Sequence, residues 1–93
     1  MKVYNYWVYV MASELGNLYI GVTDDLTRRV FEHKHDLHEK SYTKEHQCHK
    51  LVYAEEYRHI EEAIAREKQL KGWKREKKRN LIAVQNPGWR DLA

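Results

Sequence analysis

The chain predicts an α+β domain in which helices pack against a small antiparallel sheet, in the order β-β-α-β-α-α. Three observations carry this prediction. Two segments rich in aromatic and β-branched residues follow each other closely near the N-terminus. Apolar residues recur at helical spacing in the stretches that come after. Turn and capping residues separate these segments from one another.

Residues 6–11, Tyr-Trp-Val-Tyr-Val-Met, read as a strand buried on both faces. Gly16-Asn17 signals a turn, and residues 18–22 form a second strand, so the N-terminus makes an antiparallel hairpin. Side chains alternate faces along a strand, so a register that sets Tyr9 opposite Tyr19, or two residues off, puts both phenols on one face. Thr23-Asp24-Asp25 opens a helix, with a capping hydroxyl and acidic residues near the positive end of the dipole. This helix is expected to reach about Leu37. Within it Leu26, Val30, His33 and Leu37 share one stripe, Arg29 flanks the stripe and Arg28 points away. Residues 51–55 give a third strand. A second helix begins near Ile60, with Ile60, Ala63, Ile64 and Leu70 in one arc and Glu67 in its middle. Gly72-Trp73 ends it. A third helix, from about Glu76 to Val84, buries Leu81, Ile82 and Val84. Asn86-Pro87-Gly88 stops it, and Trp89 and Leu92 pack back onto the domain.

Ninety-three residues with seven Tyr, three Trp and one Phe suffice for one compact core, and residues 1–93 read as a single domain. No apolar run approaches a membrane span and no signal pattern opens the chain, so a soluble cytoplasmic protein with no membrane partner is expected. Cys48 is the only cysteine, which excludes an internal disulfide. The net charge of +3 is modest, but its distribution is not even. From Lys68 to Arg79 seven of twelve residues are basic (Lys68, Lys71, Lys74, Arg75, Lys77, Lys78 and Arg79), and Glu76 alone is acidic. The first six of these basic residues are the candidate contacts to a polyanion. A solvated, lysine-rich helix face is the plainer alternative.

Five residues are suited to phosphodiester chemistry. Glu67 stands in an apolar arc, where a carboxylate is costly unless it is paired or holds a metal. It is the candidate ligand of one Mg²⁺ or Mn²⁺ ion that keeps most of its water; a bridge to Arg29 or Lys71 is the structural alternative. Arg29 and His33 are four apart and share a helix face. The planar fork of Arg29 suits a phosphate, and the His33 imidazole suits orienting or deprotonating a water. Tyr9 and Tyr19 are either core tyrosines or the pair that positions that water. Gly21 marks a place where a ligand or another backbone comes close. A second constellation, His33, His35 and His38 with His46, Cys48 and His49, matches no defined zinc spacing and reads better as a polar surface loop.

Together, Tyr9, Tyr19-Ile20-Gly21, Asp25-Leu26-Thr27-Arg28-Arg29, His33, and Glu67 within residues 63–70 resemble the GIY-YIG nuclease superfamily. The resemblance is closest to its small stand-alone bacterial members and covers nearly the whole chain. It implies a three-stranded antiparallel sheet flanked by helices and a one-metal nuclease site, with Glu67 on the metal, Arg29 on the phosphate, and a water activated near Tyr9, Tyr19 and His33. Two departures stand out. The first motif reads Trp7-Val8-Tyr9 and lacks its glycine, and Val22 stands where some relatives carry a lysine near the base. The general base is therefore left open between a tyrosine and His33. For the late asparagine of the family, Asn86 is a better counterpart than Asn80.

No residues remain for a separate recognition domain, which leaves three functional readings. The first is a metal-dependent DNA endonuclease, weakly specific or structure-selective and tied to DNA repair or recombination, with RNA left open. The second is a nucleic-acid-binding module without catalysis. The third is a component whose specificity comes from a protein partner or a second copy of the chain.

Overall fold

The computed structural model describes residues 5–37 and 46–93. Among them the elements are β1 (Tyr6–Ala12), β2 (Leu18–Thr23), α1 (Leu26–Lys34), β3 (Lys50–Tyr57), α2 (Ile60–Lys71) and α3 (Arg75–Gln85). The three strands form one antiparallel sheet in the order β2-β1-β3. This is the expected architecture, and β1 takes the centre of the sheet. The Ser13–Asn17 connection is closed by Gly16 N–H on Ser13 C=O and Ser13 N–H on Asn17 C=O. Gly16 takes φ +87° there, a conformation a side chain resists.

The sheet is covered on both faces, and the alternation along β1 divides its side chains between them. Val8, Val10 and Ala12 join Ile20, Val52, Ala63, Leu70 and Ile82 under α2 and α3. Tyr9 and Met11 face the other way, onto α1, with Val30, Cys48 and Leu51. Cys48 is fully buried, and burial pushes its thiol up to about 11.

Several boundaries and faces differ from the sequence expectation. Helix α1 ends at Lys34, not near Leu37, because Asp36 turns left-handed at φ 55°, and Leu37 is left exposed. Its cap is the Asp25 carboxylate, accepting from Arg28 N–H at 3.1 Å, while the Thr23 hydroxyl instead closes the preceding turn on Asp25 N–H. Strand β3 continues to Tyr57, past Glu55. In α3 only Ile82 is fully buried, Leu81 is partly so, and Val84 is 84% exposed, because the helix lies on the sheet along one narrow seam. In α2, Ile60 and Ile64 are about 40% exposed and the buried positions are Ala63 and Leu70. Glu67 therefore borders the buried stripe and does not stand in its middle.

The outer edge of β3 is irregular, and the C-terminal turn repairs it. A bulge opposite Val10 and Met11 leaves Val52 out of register. The buried Asn86 amide donates to Val52 C=O at 3.1 Å and to Arg90 C=O at 2.8 Å, and its oxygen accepts from Arg90 N–H at 3.0 Å. One residue back, Leu51 N–H donates to Asp91 Oδ1 at 3.1 Å and Leu51 C=O accepts from Leu92 N–H at 2.8 Å. Asp91 also pairs with Lys34 of α1. Further along β3, Glu55 accepts both hydroxyls of Tyr53 and Tyr57 and a two-pronged contact from Arg66, which fastens α2 to the edge.

Two outcomes follow. Asn86→Ala strands a buried carbonyl at the bulge, so urea unfolding should show a loss of about 1–3 kcal/mol. Burial opposes ionisation of Asp91, but Lys34 and the Ala93 and Leu51 amides outweigh it and hold the carboxyl below its ordinary range. A depressed carboxylate stabilises the fold above its unfolded value, about 3.9, and loses that contribution as pH falls through the lower folded value. The stability gap between the native chain and Asp91→Asn should accordingly be present at pH 7, begin to shrink near about pH 4 and vanish only once the pH is below the depressed folded value.

Candidate active site

Register brings the two candidate tyrosines together. Tyr9 pairs with Gly21 and Met11 with Tyr19, so the two phenols lie two residues off on one face, as the expected hairpin requires. The Tyr9 ring lies across Gly21. A Cβ at Gly21 would stand 2.6 Å from the Tyr9 oxygen and 2.7 Å from its Cζ, inside any tolerable contact. Helix α1 then lays His33 against both rings. Ring centres are 6.2 Å apart for Tyr9–Tyr19, 5.5 Å for Tyr9–His33 and 5.1 Å for Tyr19–His33. The Tyr9 oxygen is 2.9 Å from His33 Nε2, and both residues are buried.

Arg29 lies one turn before His33, on the flank of the buried stripe, with Val30 beneath it. Its Nη1 is held at 3.6 Å by Glu32, while its buried Nε makes no hydrogen bond among the described residues. A guanidinium donor that is dry and unmatched is suited to an incoming anion. Glu32 was not singled out from the sequence, although its i+3 spacing from Arg29 was a signal for it.

Glu67 reaches the site from the opposite layer. It is 21% exposed and pairs with Lys71 at 3.4 Å, one of the two bridges expected as alternatives to a metal. Its charge is nonetheless felt at Tyr19. Burial raises the Tyr19 hydroxyl above the ordinary phenol range, the Glu67 charge raises it further, and the Arg29 charge lowers it. Tyr19 on edge strand β2 thus feels the arginine of one layer and the carboxylate of the other. Tyr9 is held protonated more firmly, first by burial and then by the neighbouring Tyr19.

The remaining candidates disperse. Arg75 donates to Gly16 C=O at 2.8 Å, Lys77 lies 4.2 Å over the Trp73 ring, and Lys68 and Lys74 are exposed. Lys71 and Lys78 border one groove with Tyr19. Of the histidine constellation, the His35 ring lies tilted against the exposed Phe31, His49 pairs with Asp36 at 2.8 Å, and His38 lies outside the described residues. Among the described residues no three His, Cys, Asp or Glu side chains converge as metal ligands. Asn86 is engaged at the β3 bulge, and Asn80 is exposed on α3.

The fold sets two strand tyrosines over the helix that carries Arg29 and His33, with Glu67 on a helix of the opposite layer. Residues 5–80 match the GIY-YIG catalytic domain, and the chain belongs to that family. A UPF0213 protein of Staphylococcus saprophyticus is 33% identical over 78 residues, 84% of this chain and 94% of its own length. The solution NMR structure of a UPF0213 protein from Bacillus halodurans superposes with a TM-score of 0.61 at 28% identity, covering 96% of this chain and 94% of that one. No helix among the described residues is long and apolar enough to cross a membrane.

Gly21→Ala should drive the Tyr9 ring off its place. Overpacking of this kind costs about 1–3 kcal/mol, so a lower urea midpoint is expected together with displaced His33 imidazole resonances by NMR.

Proposed function

We propose that the chain is a metal-dependent endonuclease that hydrolyses phosphodiester bonds in DNA. The observation that carries this is the position of Tyr19, in the joint field of Arg29 and Glu67 and in ring contact with His33. Few purely structural arrangements call for a guanidinium with a buried, unmatched Nε, a buried imidazole and a carboxylate acting on one phenol.

A single half-buried carboxylate fits a hard divalent cation that keeps its water and completes its shell with substrate phosphate. Glu67 would hold one Mg²⁺ or Mn²⁺, which when bound supplies Lewis-acid stabilisation of the phosphate and the leaving oxygen. The Arg29 fork binds the same phosphate and stabilises the charge that develops on it. Both phenols are pushed above their ordinary range, so neither is a tyrosinate at neutral pH. Imidazole is the side chain that exchanges a proton there. In the tautomer that leaves Nε2 bare, Tyr9 donates to His33. Tyr19 orients the attacking water, and its proton passes by way of Tyr9 to His33 Nε2.

The Lys71–Glu67 pair favours the competing reading, a nucleic-acid-binding module without catalysis. Its magnitude supports the nuclease instead. With Lys71 54% exposed, such a pair is worth about 0–1 kcal/mol, too little to explain a carboxylate at the border of the core.

The experiment is cleavage of labelled duplex, single-stranded, flapped and four-way DNAs with Mg²⁺ or Mn²⁺. Cutting by the native chain should disappear in Glu67→Gln with the fold intact, and Arg29→Ala should slow it by about 10²-fold or more. Undiminished cutting by Glu67→Gln would sink the assignment. Binding without cutting by any of the proteins would transfer the conclusion to the binding module.

A further inference from the structure

The basic segment from Lys68 to Arg79 is not one surface. Arg75 is engaged on Gly16, Lys77 on Trp73, and the Arg79 guanidinium lies 5.6 Å over the Trp89 ring. Lys71, at the end of α2, and Lys78, in α3, converge from two helices on a single open groove. Its floor is Leu18, Tyr19 and Ile20 of edge strand β2.

Lys78 is placed there by packing. Its stem borders an apolar hollow with Val10, Leu18, Ile20 and Leu81, as long cationic side chains do when the stem is buried and the charge stays in water. No carboxylate among the described residues pairs with it. Among the described residues Lys71 is held only by Glu67, at 3.4 Å and largely in solvent. The groove thus has an apolar floor and two available cations. It ends at Tyr19, where the fields of Arg29 and Glu67 meet.

We propose that this groove carries the DNA backbone next to the cleaved phosphodiester. Arg29 takes the scissile phosphate, Lys71 and Lys78 take phosphates further along the same strand, and the strand crosses the outer edge of β2. Sugars lie over Leu18 and Ile20. The Trp73 side of the basic segment, with Lys74 and Lys77, stays off the substrate. The assignment rests on the nuclease reading but is tested by binding alone.

The test is fluorescence anisotropy of a labelled DNA duplex in EDTA across a salt series, so that nothing is cut. Each phosphate neutralised contributes about 0.9 to the slope of log K against log salt. Lys71→Gln with Lys78→Gln should therefore flatten the slope by about 1.8, and the two arginine replacements should restore it. Lys74→Gln with Lys77→Gln should leave the slope as in the native chain. If the double glutamine variant does not fold, Lys71→Gln alone should still flatten the slope by about 0.9. An unchanged slope for the groove variants, an equal loss for the Trp73-side pair, or no binding of DNA by the native chain overturns the proposal. The two readings separate cleanly. Groove-dependent binding with no cleavage by the native chain removes the nuclease and keeps the groove, while cleavage with an unchanged slope does the reverse.

Discussion

The candidate site depends on how closely the Tyr9 ring can lie against the backbone of its neighbouring strand. That approach is possible because the residue paired with Tyr9 is Gly21. Any side chain there would lift the ring, and with it the oxygen that meets His33. The position of His33 follows in turn, because α1 is seated on the same face through Val30 against Tyr9 and Met11. Arg29, one turn away, is placed by the same seat. One missing methyl group in an edge strand therefore sets the spacing of residues from three elements.

The rest of the molecule keeps that layer in place from outside. A bulge in β3 leaves backbone groups that no strand partner satisfies, and buried groups of this kind must find partners elsewhere. Asn86, Asp91 and Leu92 provide them, and Asp91 reaches across to Lys34 on the helix that carries His33. The C-terminal turn thus secures the weak edge of the sheet and the site helix at once. On the other face the Arg66–Glu55 contact anchors α2, the helix that brings Glu67 to β2.

The strands were legible because an unbroken apolar run and a period of two report burial directly. That Arg29 and His33 would share a helix face was legible from their spacing, and that Tyr9 and Tyr19 could share a sheet face was legible from the strand period once the register was of the expected kind. Glu67 was singled out for a reason that was only half right. Helical periodicity shows which residues share an arc, but not how much of the arc a neighbour covers, and α2 buries Ala63 and Leu70 while leaving Ile60 and Ile64 largely in water. Val84 was misread in the same way. The repair of β3 by Asn86 and Asp91 was illegible, since a bulge is a tertiary event with no local pattern. The dispersal of the basic segment was hidden too, because it depends on where Trp73 and Gly16 happen to stand.

Cys48 lies fully buried in the same layer as Tyr9 and Val30, with its thiol held at about 11. A thiol so placed is nearly inert toward alkylating reagents at neutral pH, both shielded and protonated. It becomes reactive only when that layer parts. The chain thus carries a chemical clock beneath its own site, and the slow rate at which the cysteine is modified measures how often the tyrosine-histidine layer opens.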